Sequence, residues 1–331
     1  MKRVEALLAL VSFGVFSAIA WRMNWGVMLR DLEAAAMGIP ILIALSLLRL
    51  SLTTKSWTLS LTTEGIKPHW KHLIGIRLAA QAIGYLTVFG VAASEPMKIS
   101  LLREDVTAAA AGTLADSGMY WFSSALFGAA ACVYVAVALA GRGHGISLLT
   151  IGITFAGSLI LLSTRSPLLG QSSRLLGRAS PRWLRKSVQL EHTIRHFRVA
   201  HSDVARKMFG LDLACQLIQL AETAVILYFI DLPLKLSLLL GIELATRIVK
   251  LTTGWLPGRI GADEGGAAAA FMAFGFSPAA GVVLALARRF RDLLWCALGV
   301  IWLVWNSQHL MTLKSARKDD SHAGCHCLTE S

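Results

Sequence analysis

Apolar segments of membrane-spanning length recur along almost the whole chain, and they constrain the fold more than any single motif. The eight segments are Val4–Trp21, Met37–Leu52, Leu73–Ala92, Ala109–Ala140, Ile146–Ser163, Phe209–Ile230, Leu236–Leu256 and Ala279–Trp305. A helix needs about 20 apolar residues to cross the hydrocarbon core of a bilayer. Hydrophobic residues make up 55% of the chain and charged residues only 16%, which argues against a soluble enzyme. The sequence therefore predicts an all-α polytopic membrane protein.

A basic stretch between Arg165 and Lys207 sets the topology. It carries ten Lys and Arg residues against two acids, a balance of +8. Cytoplasmic loops carry an excess of Lys and Arg, so we expect this stretch inside the cell, together with Lys2 and Arg3. If every segment crossed the membrane, five crossings would put the basic stretch outside. At least one apolar segment must therefore fail to cross.

Two segments have the features of re-entrant hairpins. Leu73–Ala92 runs into Ala93–Lys98, which Pro and charged residues interrupt, and Leu236–Leu256 runs into the turn Pro257–Gly266 and a short arm, Ala267–Phe276. Non-helical backbone is tolerated at membrane depth when it is buried in protein or lines a cavity. We predict about six spanning helices plus two hairpins, with eight full spans as the alternative.

The order helix, helix, hairpin, helix occurs twice, which indicates an inverted repeat. The halves are about 1–140 and 146–305, and the basic loop 165–207, with the loops near Lys55 and Lys98, is expected in the cytoplasm. Residues 1–312 are predicted to form one transmembrane domain and 313–331 a disordered cytoplasmic tail. The expected location is the bacterial inner membrane, with both termini cytoplasmic. Ala18-Ile19-Ala20 would suit signal-peptide cleavage, but the later apolar segments favour an uncleaved first helix.

Charged residues inside apolar segments are candidates for a functional site, because such charges are costly in a membrane. The second hairpin turn places Arg259, Asp263 and Glu264 among glycines, and Glu95 lies at the first turn, before Asp116. Each has a structural alternative. Glu264 can cap the following helix, and Asp116 can mark a helix interface.

Polar residues also recur at one-face helical spacing. One stripe consists of Asp212, Gln216, Gln219 and Thr223, with Glu222 beside it. Glu243, Arg247 and Lys250 form a second stripe, in which Glu243 is expected to pair with Arg247, and Arg288 with Asp292. The basic residues that could hold a phosphate are Arg247, Lys250, Arg259 and Arg288. Internal salt bridges and helix packing are the alternative roles.

Cofactor and metal sites are not indicated. The chain has no Gly-rich nucleotide loop or Walker motif, so we expect no cofactor, and a metal site is not predicted although His322, Cys325, His326 and Cys327 cluster in the tail. Five scattered cysteines do not suggest a disulfide framework. The basic loop is explained by cytoplasmic orientation, so no nucleic-acid partner is expected.

The second turn carries a family resemblance. Pro257, Gly258, Gly261, Glu264 and Gly265 resemble the Pro-Gly-Gly-x-Gly-x-x-Glu-Gly turn of the lysylphosphatidylglycerol-synthase transmembrane-region, or flippase-like, proteins, with Arg259 where Gly is usual. The first family motif matches only at Glu95 and at Leu101-Leu102-Arg103. The run Leu286–Asp292 is similar to the hopanoid-biosynthesis-associated branch.

The resemblance implies a flippase or transporter that moves a lipid or lipid-linked head group between leaflets. The alternatives are a non-catalytic accessory or scaffold subunit, or an intramembrane enzyme, of lipid biosynthesis; we expect no enzyme activity. The expected partners are an anionic phospholipid or a hopanoid, and lipid-biosynthesis enzymes. The candidate path residues are Glu95, Asp116, Arg247, Lys250, Pro257, Gly258, Arg259, Gly261, Asp263, Glu264 and Arg288.

Overall fold

The computed structural model describes residues 25–87, 90–139, 200–253 and 261–326, and these ranges contain nine α-helices and no strand. The helices are α1 (Trp25–Met37), α2 (Ile39–Thr63), α3 (Trp70–Leu86), α4 (Gly90–Leu102), α5 (Val106–Leu139), α6 (Ser202–Phe229), α7 (Leu236–Thr253), α8 (Ala262–Ala273) and α9 (Pro278–His326). The predicted all-α membrane class is confirmed.

Three described helices, α2, α5 and α6, are long and apolar enough to cross a membrane. They contain most of the predicted segments Met37–Leu52, Ala109–Ala140 and Phe209–Ile230. Helix α2 continues past its predicted end to Thr63, and its hydroxyl side chains bond back to the preceding turn, as Thr54 does to the Leu50 carbonyl at 2.7 Å. The predicted segments Val4–Trp21 and Ile146–Ser163 lie outside the described residues, as does the candidate cleavage site.

Each predicted hairpin consists of two short helices that pack against each other, α3 with α4 and α7 with α8. Helix α4 has 13 residues and α8 has 12. At about 1.5 Å per residue both are shorter than 20 Å, which is well below the roughly 30 Å of the hydrocarbon core. Neither helix can cross the membrane alone. Re-entry itself, and the alternative of eight spans, stay predictions.

The break in the first hairpin lies earlier than the sequence analysis expected. Helix α3 ends at Leu86, and Thr87 is extended, with φ −101° and ψ 154°, while its hydroxyl donates to the Ile83 carbonyl at 2.6 Å. Residues 93–98, expected to form the turn, lie inside α4, which tolerates Pro96. Ala and Ser favour helix more than Gly does, which explains why the chain is already helical there.

The second hairpin also departs from its predicted bounds. Helix α8 begins at Ala262 rather than at Ala267, and it follows Gly261, whose φ of 83° suits a residue without a Cβ. The Glu264 carboxylate accepts a hydrogen bond from the Gly261 N–H at 2.8 Å. This bond satisfies one of the free donors at the start of the helix, so the helix can begin inside the predicted turn.

The packing of the helices repeats between the two halves. Helix α2 packs on α6, α3 packs on α9, and α7 packs on α5, so the first hairpin helix of each half contacts the last helix of the other half. Two glycines permit the close approach of α3 and α9. A Cβ on Gly299 would lie 2.2 Å from the Leu78 carbonyl oxygen, and one on Gly75 would meet the Trp302 ring. The same element order and the same pairing are what a repeat requires.

Two further elements differ from expectation. The structure contains α1, which no predicted segment covers and which packs against α6 and α9 with Met28 and Ala35 buried. Helix α9 continues to His326, so residues 313–326 are helical where a disordered tail was expected. Leu, Lys, Ala and Arg favour helix and occur in that stretch, which can therefore continue the preceding turns.

Candidate functional site

A cavity of about 290 Å³ opens between the helices of the first half. Five charged side chains line it, namely Arg49, Arg77, Glu95, Lys98 and Asp116. The remaining lining residues are Ser46, Leu50, Thr53, Gln81, Ser94, Ser117, Tyr120, Trp121 and Trp295. Helices α2, α3, α4 and α5 supply all of them except Trp295, which comes from α9. A charged cavity among apolar helices is a candidate functional site, because unneeded charges in this position would be costly.

Arg77 reaches across the cavity from α3 to α5. Its guanidinium lies 3.3 Å from a carboxylate oxygen of Asp116 and donates to the Thr53 carbonyl of α2 at 2.6 Å. It also lies 5.8 Å from the centre of the Trp57 ring, within cation–π range. Three helices therefore fix the position of this cation.

Lys98 of α4 also lines the cavity. Its ammonium donates to Glu95 at 2.7 Å and lies 5.9 Å from the Trp57 ring, which Thr113 holds through a 3.2 Å hydrogen bond. The sequence analysis expected a cytoplasmic loop near Lys98; Lys98 itself lies in α4 and is only 9% exposed, whereas the side of the membrane stays a prediction. Trp57 is thus in contact range of two of the three cations.

The charges that line the cavity leave an excess of one positive charge, since three cations face two carboxylates. Fixed guanidinium and ammonium groups bind phosphate and carboxylate oxygens by charge-assisted hydrogen bonds. Trp121 lines the cavity and is 48% exposed, so the cavity reaches the outer surface of the bundle beside α5. The arrangement can hold an anionic group inside while an attached apolar chain remains outside.

A second polar network, in the second half, is closed by its own side chains. Glu243 of α7 forms an ion pair with Arg288 of α9 and accepts hydrogen bonds from Thr223 and, at 2.7 Å, from Gln219. Arg288 donates to Thr246 as well, at 3.2 Å. The predicted stripe on α6 is buried, and Gln219 and Thr223 from it complete the shell around Glu243.

Two predicted ion pairs within single helices are wrong. Arg247 forms no ion pair with Glu243 and instead donates to Gln216 of α6 at 2.6 Å and to Ser124 of α5. Arg288 turns to Glu243 rather than to Asp292. Side chains one turn apart on an exposed helix face each other, but in a buried helix the neighbouring helices offer better acceptors.

Arg291 and Glu222 connect the two networks. Arg291 of α9 pairs with Glu222 of α6 and donates to Asp292 at 2.8 Å. Glu222 also lies 3.8 Å from Arg49, which lines the cavity. Both Glu222 and Arg291 are almost completely buried. The charges of the second half are thus coupled to one wall of the cavity.

The described residues of the second turn do not line the cavity. Glu264 pairs with Arg289 of α9 at 2.9 Å in addition to capping α8, so the structural role considered for it is present. Asp263 is half-buried at the start of the same helix, next to Gly261. The remaining predicted turn residues, Pro257, Gly258 and Arg259, lie outside the described residues.

Of the predicted path residues that the structure describes, Glu95 and Asp116 line the cavity and the others do not. Arg247 and Arg288 are held in the second half, and Lys250 lies within electrostatic range of Glu243 and Asp292. The lining residues that the sequence analysis missed include Arg49, Arg77, Gln81 and Lys98. A usable signal existed, because Arg49 lies in the apolar segment Met37–Leu52, and Arg77 and Gln81 lie one turn apart in the apolar segment Leu73–Ala92.

No set of three His, Cys, Asp or Glu side chains converges as a metal site in the described ranges.

A comparison with protein families places most of the chain in one family. A family model described as the lysylphosphatidylglycerol synthase TM region matches residues 6–299. Comparisons with curated proteins and with solved structures gave no match. The match covers most of the chain and supports a membrane location and a lipid-related function. The chain therefore belongs to the lysylphosphatidylglycerol synthase transmembrane-region family.

Proposed function

We propose that this protein is a flippase or transporter that moves the head group of an anionic lipid between leaflets through the first-half cavity. The observation that carries the proposal is the set of three cations, Arg49, Arg77 and Lys98, that line a cavity between apolar helices. In this role the lipid phosphate exchanges its water shell for these donors, which lowers the cost of bringing charge into the membrane.

The route for the acyl chains is consistent with this role. Several large apolar side chains on α5 are exposed, among them Leu114, Trp121 and Leu126, and Trp121 also lines the cavity. A lipid whose head group lies in the cavity would keep its tails beside this surface. We propose an inner-membrane, multi-pass protein with cytoplasmic termini, in which this chain breaks no covalent bond. Anionic phospholipids and hopanoids with a polar head group are the substrates to test.

Proteoliposomes test the proposal directly. The purified protein would be reconstituted with fluorescent phosphatidylglycerol, phosphatidylethanolamine and a labelled hopanoid, and the fraction of label reachable from outside would be followed over time. We expect the wild type to move phosphatidylglycerol faster than protein-free vesicles do. Arg77→Gln should lower that initial rate by about 10- to 100-fold, because a hydrogen bond to a charged group contributes roughly 1.5–3 kcal/mol.

Arg206→Gln is the matched control, since Arg206 is an exposed arginine on α6, outside the cavity. It should move lipid at the wild-type rate. If folded wild-type protein moves none of the lipids, the transporter proposal is wrong and an accessory or scaffold role is favoured. If lipid is chemically altered without changing leaflet, an enzyme is favoured instead.

A further inference from the structure

Two buried carboxylates next to the cavity are not explained by head-group binding alone. Asp116 of α5 is 2% exposed and Asp212 of α6 is 1% exposed, and the fully buried Ser56 of α2 lies close to both. Asp116 lines the cavity, while Asp212 lies behind it. Within the described ranges, Oδ2 of Asp212 has no hydrogen-bond partner. Buried polar atoms without partners are rare and generally have a function.

The groups that face these carboxylates provide too few cations for both to be ionised. Helix α2 contributes Arg49, α3 contributes Arg77, and α4 contributes Glu95 and Lys98; Asp212 itself lies next to the neutral Cys215 thiol of α6. Lys98 is paired with Glu95, and Arg49 lies against Glu222. In the part of the chain that the structure describes, Arg77 is therefore the cation left for Asp116 and Asp212 together.

Two carboxylates that share one guanidinium in a buried site cannot both be ionised at low cost. Arg77 bonds to Asp116, so the second negative charge, on Asp212, would be buried without a counterion. A buried charge of this kind is normally neutralised by a proton. The proton belongs to the pair, because strongly interacting carboxylates titrate together.

We propose that Asp116 and Asp212 form a proton-binding site that is coupled to head-group binding through Arg77. The inference rests on the proposed function and identifies its driving force as a pH gradient. With the cavity free of lipid, Arg77 neutralises Asp116 and one proton neutralises the pair. When an anionic phosphate binds Arg77, it competes with Asp116 for the guanidinium, and Asp116 takes up a second proton.

The charges then balance. One lipid anion and one proton enter together, and both leave together when the cavity opens to the other side. Because linkage is reciprocal, acidic solution on one side favours head-group binding from that side. A pH gradient would therefore move the anionic lipid away from the acidic side without nucleotide hydrolysis.

The first experiment measures coupling in proteoliposomes that contain fluorescent phosphatidylglycerol. The readout is the ratio of the initial rate with an imposed pH gradient to the rate without one, repeated with a protonophore. We expect a ratio well above one for the wild type, which falls to about one with the protonophore and for Asp116→Asn, whatever the basal rate of that variant, because the amide that replaces the carboxyl cannot take up the second proton. Asp212→Asn, a neutral replacement for the protonated carboxyl, should keep the ratio. Asp203→Asn is the control, because Asp203 is an exposed carboxylate on the same helix. It should keep the wild-type ratio.

The second experiment detects the proton without transport. Infrared difference spectra of the folded protein in detergent at neutral pH should show a protonated carboxyl band that is lost in Asp212→Asn and kept in Asp203→Asn. The inference is overturned if neither variant loses the band. It is also overturned if the wild type moves lipid at the same rate with and without the pH gradient. If the wild type moves no lipid but shows the band, the transporter proposal and the coupling are rejected, whereas the proton-binding site is supported.

Discussion

In the described residues, each half of this protein has a long helix, a pair of short hairpin helices and a last helix in that order, yet the two halves use their charges differently. In the first half, the cation Arg77 on the first hairpin helix pairs with the anion Asp116 on the last helix; in the second half, the anion Glu243 pairs with the cation Arg288 at the corresponding places. The first pair lines a cavity. The second is enclosed by hydroxyl and amide groups from α6 and α7, including Thr223.

This difference separates two uses of a buried ion pair. A pair whose remaining donors and acceptors are all satisfied by the protein fixes the packing of its helices and leaves nothing for a ligand. A pair that faces a cavity has bonding capacity to offer, at some cost in stability. We infer that the buried ion pair of the second half stabilises the fold, while the cavity of the first half binds the lipid head group.

The largest expected effect on stability comes from breaking the enclosed Glu243–Arg288 ion pair of the second half. Arg288→Gln leaves Glu243 buried without its counterion, which should lower the free energy of unfolding by about 3–5 kcal/mol. Thermal unfolding of the purified protein in detergent measures this. Arg206→Gln is the control, because an exposed ion pair of this type contributes roughly 0–1 kcal/mol.

A comparison with Arg77→Gln sharpens the result. The Arg77 variant should unfold at a temperature between those of the control and of Arg288→Gln, because water can enter the cavity and solvate the uncompensated Asp116. If the Arg77 variant is the less stable of the two, the division between a stabilising half and a binding half is wrong.

The next effect concerns the contact between the halves. Gly299→Ala would place a methyl group 2.2 Å from the Leu78 carbonyl oxygen, so α3 and α9 must move apart. Overpacking of this kind typically costs about 1–3 kcal/mol. Gly210→Ala is the matched control, because a Cβ there meets nothing within 4 Å. It should leave the unfolding temperature unchanged or raise it slightly, since Ala favours helix over Gly by up to about 1 kcal/mol.

Both glycine variants should also be tested for lipid movement. Because Trp295 of α9 lines the cavity, displacement of α9 should slow transport, whereas Gly210→Ala should not. Unchanged stability and transport in Gly299→Ala would contradict the close contact between the halves.

The smallest expected stability effect separates the two roles of Glu264. Glu264→Gln keeps an oxygen that can accept from Gly261 but removes the charge that pairs with Arg289, whereas Glu264→Ala removes both. We expect Glu264→Ala to be about 1 kcal/mol less stable than Glu264→Gln. We also expect Glu264→Gln to insert and fold but to lose transport.

The corresponding carboxylate of the first hairpin provides the comparison. Glu95→Gln should lose transport as well, because Glu95 lines the cavity and holds Lys98. Full transport by Glu264→Gln would assign Glu264 to capping and packing alone.

The sequence predicts the class of fold well because membrane solvation is a strong constraint. Six of the eight apolar segments overlap described helices, and both hairpin breaks exist. Their positions were less predictable. The first break follows Thr87, where local backbone bonding ends the helix, although Pro96 and the charges around it gave the stronger signal in the sequence.

The site was predicted only in part, because residue spacing within one helix does not show which neighbour a side chain meets. Glu243 and Arg247 have ideal spacing, but each bonds to other helices. Arg77 was not predicted although it lies in an apolar segment, because the charged, glycine-rich turn of the second half gave the more conspicuous signal. An intramembrane arginine was the more informative signal.

Trp295 determines whether the cavity can form when the two halves of the chain are expressed separately. This residue belongs to the second half, yet it lines the cavity and donates to Ser46 at 3.1 Å. A gene fragment that encodes the first half alone would therefore produce a site with one wall missing. Co-expression of the two halves as separate polypeptides should be needed to rebuild it, so the two halves are not independent modules.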